Sequence, residues 1–160
     1  MTGPTPTPTP SVQRVRELVV SYRPFKLEMP VEGTMSSPRD AARLAAAILA
    51  DADVERVLAL HVNTKHTLIG VHVVSVGTLD ASLVHPREVF KAACLSNAAA
   101  LVIAHNHPSG DPTPSGEDRA LSERLRQAGE LLGVTLLDFV IVTDPAEGVR
   151  YHSFRESGVL

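Results

Sequence analysis

The sequence predicts an α/β fold of the α+β type, one β-sheet with helices packed against it, and three features carry that expectation. Two serine-led capping patterns introduce segments whose apolar residues recur at three and four, the period of an amphipathic helix. Apolar and β-branched runs of strand length are interspersed with those segments. One of these runs, Ala98–Ala104, is almost wholly hydrophobic, as a central strand buried on both faces requires. Helices and strands in mixed order each have an apolar face to bury, and a sheet layered with helices buries them all.

Residues 1–11 open with the Pro/Thr repeat MTGPTPTPTP, whose ring-fixed backbone and lack of large apolar groups predict a disordered tail. Residues 12–36 form an N-terminal extension before the main domain at 37–160. Within Ser11–Phe25 the partial alternation of Leu18, Val20 and Tyr22 favours a strand, although an amphipathic helix fits almost as well.

Ser37-Pro38-Arg39-Asp40 reads as a capping box with proline at the first helical position. Ala41, Leu44, Ala45, Ile48 and Leu49 then give a helix with one buried face, expected to about Ala50. Val54–Val62 and Leu68–Val76 read as the strands of a hairpin around Asn63-Thr64-Lys65-His66. After a loop through Gly77 to His85, a helix is expected to open at Pro86 and run through Val89, Phe90 and Ala93 to about Asn97. Cys94, among Ala92, Ala93 and Leu95, reads as a small core residue. The apolar run Ala98–Ala104 comes next and delivers His105 to the strand end.

Pro108–Pro114, PSGDPTP, places three prolines and a glycine in seven positions and is a stiff loop. Ser115 begins the second capping pattern, and the helix behind it carries Ala120, Leu121, Leu125, Ala128, Leu131 and Leu132 as an apolar stripe closed by Gly133. Val134–Val142 is a further strand, Asp144-Pro145 and Glu147-Gly148 are turns, and Val149–Phe154 is a last strand.

With 160 residues, 44% of them hydrophobic, the chain is long enough for one domain with a sizeable core. A formal charge of −3 lacks the basic excess of a protein built to grip phosphate backbones. Cys94 is the single cysteine, which rules out an intramolecular disulfide or a cysteine-rich metal cage and fits a reducing cytoplasm. No basic-then-apolar leader pattern and no apolar run of membrane-spanning length occurs, so the expected location is cytoplasmic.

Residues two apart on a strand point to the same side about 6.6–6.8 Å apart, so His105 and His107 can aim both imidazoles at one ion. Asp118, eleven residues on, stands in the first turn of the next helix, where the helix dipole favours its ionised form. Two histidines and one carboxylate match a catalytic Zn2+ site, which keeps its fourth position for water, whereas structural sites are usually closed by four ligands. Such an ion acidifies its water and polarises a carbonyl. Glu55, expected to begin the first hairpin strand, is the candidate general acid/base, and Ser115 a candidate oxyanion donor.

Each of these residues also has a plainer explanation. Two histidines near a strand end need no metal, and capping alone accounts for Ser115 and Asp118. A glutamate opening a strand is usually just solvated. His61, His66, His72, His85 and His152 lack metal spacing and read as surface or internally satisfied residues.

AHNHPSGDPTPSGED at 104–118, with VHPREVF at 84–90, Gly77-Thr78-Leu79 and the NTKHTLI stretch from Asn63, closely resembles the RadC-like branch of the JAB1/MPN (JAMM) metalloprotein family. The resemblance covers about Ser37 to Leu160. It implies the JAB/MPN fold, a curved mixed β-sheet flanked by helices and similar to that of cytidine deaminases. It also implies zinc held by His105, His107 and Asp118, with Glu55 as acid/base. Family members that cleave isopeptide bonds set the implied reaction, so a zinc-dependent metallopeptidase or isopeptidase using zinc-activated water is expected, with a peptide or protein as substrate. Two departures stand out. Larger RadC proteins carry an N-terminal helical region that these residues do not match, and Asp138 is followed by Phe139 where the family often has histidine. The alternatives are a DNA repair or mobile-element accessory protein, which the charge does not support, and a binding module without turnover.

Overall fold

The computed structural model describes residues 21–24, 34–50, 52–77, 84–143 and 148–160. Its elements are α1 (Pro38–Leu49), β1 (Arg56–Val62), β2 (Leu68–Val76), α2 (Pro86–Leu95), β3 (Ala100–Asn106), α3 (Gly116–Leu132), β4 (Thr135–Val142) and β5 (Tyr151–Ser153). They form one five-stranded sheet in the order β2-β1-β3-β4-β5. The pairs β1/β2, β1/β3 and β4/β5 are antiparallel and β3/β4 is parallel, so this is the expected mixed sheet flanked by helices, consistent with the JAB/MPN fold.

The sheet buries both faces, and strand alternation divides the core in two. On one face Val57, Ala59, Leu101, Ile103, Phe139 and Ile141 pack with Val89 and Phe90 of α2 and Leu121 and Leu125 of α3. On the other, Leu58, Leu60, Val102, Ala104, Val140 and Val142 meet Ala41, Leu44, Ala45 and Leu49 of α1. Every residue of β3 is buried, as the run of apolar residues predicts for a central strand. Burying a Leu or Ile side chain stabilises by about 1.5–3 kcal/mol, so these strands anchor the domain.

The expected capping boxes are both present. Ser37 accepts from the Asp40 amide, and Asp40 Oδ2 accepts from the Ser37 amide at 2.9 Å. Gly133 closes α3 in the left-handed region at φ 69°, and the Val134 N–H donates to the Gly129 carbonyl at 3.0 Å. The hairpin turn is where it was expected, with Asn63 Oδ1 accepting from the Lys65 and Thr67 amides.

Four expectations are corrected. The buried stripe of α3 is Asp118, Leu121, Ser122, Leu125 and Gly129, whereas Ala120, Leu131 and Leu132 are exposed. The stripe is centred one position around the helix because Asp118 and Gly129 face the sheet, and the pair Leu131-Leu132 lies beyond the last covered turn. Cys94 is exposed, since α2 buries Val89, Phe90 and Ala93 and the next residue turns about 100° away. β1 begins at Arg56, which leaves Glu55 just ahead of the strand, and β3 runs to Asn106, which puts His105 inside it. His61, finally, is buried with Nδ1 3.0 Å from Ser96 Oγ but with no hydrogen-bond partner for Nε2. Burial, aided by His72, lowers its pKa to about 4, so it is a neutral core histidine. His85 has a cap role instead, accepting from the Arg87 amide at 3.1 Å.

The Pro/Thr tail, residues 11–20 and 25 of the expected Ser11–Phe25 strand, and the turn residues Asp144-Pro145 and Glu147 lie outside the described residues; residues 21–24 are not in a strand. Among the described residues no helix is long and apolar enough to cross a membrane.

At Gly129 an added Cβ would stand 2.4 Å from the Val134 carbonyl oxygen and 3.2 Å from the Phe90 ring. Gly→Ala in a helix interior ordinarily stabilises by up to ~1 kcal/mol. Here Gly129→Ala is expected to destabilise by roughly 1–3 kcal/mol, the usual cost of overpacking, seen as a lower urea midpoint. A midpoint above that of the wild type would show that the contact is not limiting.

Candidate metal centre

Strand β3 carries His105 on the face that packs against α3, because His105 continues the alternation of Leu101 and Ile103. The His107 N–H donates to the Val142 carbonyl at 3.1 Å, so the chain keeps following β4 for one residue past the strand and His107 falls in step with His105. Their ring centroids are 4.7 Å apart, edge to face.

The loop that follows is tied back to the histidines. The Gly110 N–H donates to the His107 carbonyl at 3.0 Å, and Gly110 takes φ 77°, a conformation suited to glycine. His107 Nδ1 lies 2.7 Å from the Asp111 carbonyl oxygen, which can only accept. Nδ1 is therefore the protonated nitrogen, and the Nε2 lone pair faces the site. Asp111 Oδ1 accepts from both the amide and the hydroxyl of Thr113, and Arg150 donates to the Gly110 carbonyl at 2.8 Å.

The loop ends at Ser115, the N-cap of α3. Its N–H and Oγ donate to Asp118 Oδ2 at 2.8 and 2.7 Å, and its Oγ accepts from the Asp118 amide at 3.1 Å. The expected capping role is thus observed. The cap oxygen Oδ2 also stands 3.6 Å from His107 Nε2, while Oδ1, outside the cap, stands 3.2 Å from His105 Nδ1. Burial pushes the Asp118 carboxyl up, but the His105 and His107 rings and the Ser115 donors more than offset it and hold the group well below the usual carboxylate range. The Asp118 carboxylate, above all, raises the His107 pKa, against the effect of burial.

One ligand atom from each of His105, His107 and Asp118 can be chosen so that all lie within 4.8 Å of one another. Although His105 Nδ1 and Asp118 Oδ1 are 3.2 Å apart, they are not aligned as a hydrogen bond, and both are buried without a partner, as is His105 Nε2. Buried polar atoms are almost always paired. Unpaired atoms on the His105 ring and on the ionised Asp118 carboxylate, with His107 Nε2 beside them, are what a divalent cation satisfies. Among the described residues these are the three that can hold a metal ion.

Glu55 and Ser115 line one cavity of about 290 Å3 together with His105, His107, Ser109 and Glu117. All five residues expected at the site therefore meet at one end of the sheet. The Gly77 N–H donates to the Glu55 carbonyl at 2.8 Å and steadies that residue from the β2 side. Sequence reasoning missed Ser109 and Glu117 as walls, although both flank the motif, and missed Asn106, the residue between the two histidines. A second cavity of about 410 Å3 shares His107 and runs past Asn106 to Leu49 at the end of α1.

The family described as RadC-like JAB domain matches residues 35–159. A UPF0758 protein of Thermotoga maritima is 53% identical over 106 residues, covering 66% of this chain and 46% of the relative. One from Shouchella clausii is 49% identical over 122 residues, 76% of this chain and 52% of the relative. A third, from Desulforamulus reducens, is 39% identical over 153 residues, 96% and 66% of the two chains. The chain thus spans between 46% and 66% of the length of these relatives.

Titration with a divalent metal is expected to saturate at one ion per chain and, at a hundredfold excess over Kd, to add about 2.7 kcal/mol of stability, a Tm rise of roughly 5–10 °C. The rise should vanish in His107→Ala, whose fold keeps its core. A wild-type Tm unmoved by Zn2+, Mn2+ or Co2+ would count against the site.

Proposed function

The chain belongs to the RadC-like JAB domain family, and from that premise we propose that it is a zinc-dependent metallohydrolase that cleaves peptide or isopeptide bonds. The observation that carries this reading is the convergence of ligand atoms from His105, His107 and Asp118 beside an open cavity that Glu55 lines together with both histidines. His105, His107 and Asp118 would hold the ion, which when bound polarises the substrate carbonyl and lowers the pKa of a water.

The remaining chemistry belongs to the chain. Glu55 takes a proton from the attacking water as the water oxygen bonds to the carbonyl carbon, and returns it to the nitrogen as the C–N bond breaks. The amine leaves neutral and the acyl half as a carboxylic acid, which then gives its remaining proton to solvent and becomes a carboxylate. Ser115, on the same wall, turns its hydroxyl from Asp118 Oδ2 toward the developing oxyanion, a role side-chain donors fill elsewhere. Asp118 keeps the Ser115 N–H as its partner meanwhile.

A peptide fits the walls better than nucleic acid does. Glu55 and Glu117 face the cavity, and carboxylates there repel phosphate. The larger cavity beside His107 is lined by Leu49, Ala46 and Val142, apolar ground for a short extended segment, with Asp53 at its edge.

Glu55→Gln is expected to keep the metal and lose about 10²–10⁴-fold in kcat, the range of general acid/base catalysis. The assay is cleavage of a peptide library that includes ε-linked lysine isopeptides, with metal content measured on the same sample. Unchanged cleavage by the glutamine variant would remove Glu55 from the mechanism.

A further inference from the structure

We propose that Asn106 is a positioning residue for Glu55, its side-chain amide extending the β1–β3 ladder beyond the last backbone pair and so fixing where Glu55 stands relative to His105 and His107. This rests on the reading of Glu55 as the general acid/base.

The antiparallel ladder runs from Val62 opposite Ala100 to Val57 opposite His105, and the next pair in register would be Arg56 with Asn106. At that point the side chain of Asn106 takes over. Its Oδ1 accepts from the Arg56 N–H at 2.7 Å, and its Nδ2 donates to the Val54 carbonyl at 3.1 Å. A carboxamide presents an acceptor and a donor as a peptide group does, so Asn106 substitutes for a strand neighbour where no strand continues. Its two partners flank Glu55 on either side. With the Gly77 N–H on the Glu55 carbonyl at 2.8 Å, three consecutive residues are held although Glu55 lies outside β1.

The placement ties two parts of the site together. Asn106 is buried, 6% exposed, and alternation sends it to the α1 face while His105 goes to the α3 face. One strand end therefore aims the histidines with one set of side chains and steadies Glu55 with the residue between them. Aspartate would offer no donor to the Val54 carbonyl, alanine neither bond, and glutamine reaches one carbon further. A general base must lie within about 2.6–3.2 Å of the proton it takes, and a displacement near 1 Å can cost ~10²-fold, so the loss belongs in kcat.

The test uses the zinc-loaded full chain as wild type, Asn106→Ala, Asn106→Asp, Glu55→Gln and the double variant Glu55→Gln/Asn106→Ala. Zinc content, amide hydrogen exchange of Arg56, and cleavage of the library peptide that the wild type cuts fastest are measured for each. Asn106→Ala is expected to keep its zinc, to lose protection at the Arg56 amide, and to fall about 10–100-fold in kcat with KM within about twofold. In the Glu55→Gln background it should add less than about twofold, because the group it positions is gone. Asn106→Asp, nearly isosteric, should also lose kcat and carries the comparison if the alanine variant is poorly folded. Zinc loss, an effect confined to KM, or independent losses that multiply in the double variant would overturn the proposal. So would an Arg56 amide as protected in Asn106→Ala as in the wild type, whatever the activity. If Glu55→Gln cleaves at the wild-type rate, the reading of Glu55 fails; if it is slow while Asn106→Ala is not, the positioning role alone fails.

Discussion

Strand β3 is buried on both faces, and that constraint decides the direction of the groups at its end. A strand with one solvated face tolerates some slippage, but here a shift of one residue would drive the whole apolar set of each face into the wrong core. Leu101 and Ile103 must meet α2 and α3, and Val102 and Ala104 must meet α1. His105 and Asn106 inherit their orientations from these neighbours. The polar end of the strand is aimed by its hydrophobic body.

Asp118 shows how a helix start and a binding site become one object. An ionised carboxylate with no solvent exposure is costly unless its oxygens are satisfied. The Ser115 N–H and hydroxyl satisfy one oxygen, and the N-terminal end of α3 adds its favourable field. The other oxygen is thereby kept charged, fixed and available. Capping and ligation are not rival explanations of the Ser-x-x-Asp spacing, since the cap is what makes the ligand usable.

How much of this was legible follows from how local each signal is. Both capping boxes, the proline loop and the His-x-His pair lie in short segments, and each was found where the spacing put it. The buried face of α3 was less legible because Asp118 and Gly129 belong to it, one polar and one without a side chain, while the more hydrophobic Leu131 and Leu132 project away. Cys94 was misjudged because apolar neighbours in sequence do not share a helix face. The start of β1, and with it the setting of Glu55, depends on Asn106 some fifty residues away and on Gly77 across the hairpin. No local pattern announces such a pairing.

The three ligands come from one short stretch, and the loop between them is already folded by the His107 to Asp111 contact, the Thr113 turn and the Arg150 tether. On the proposed reading, ion capture would be a modular property of the segment from His105 to Asp118, whereas turnover would require the Glu55 carboxylate, which comes from just ahead of β1. The two can be lost separately. A descendant of this domain whose β1 margin drifted would remain a faithful metal holder and become a silent recognition surface, with nothing in its histidine motif to betray the change.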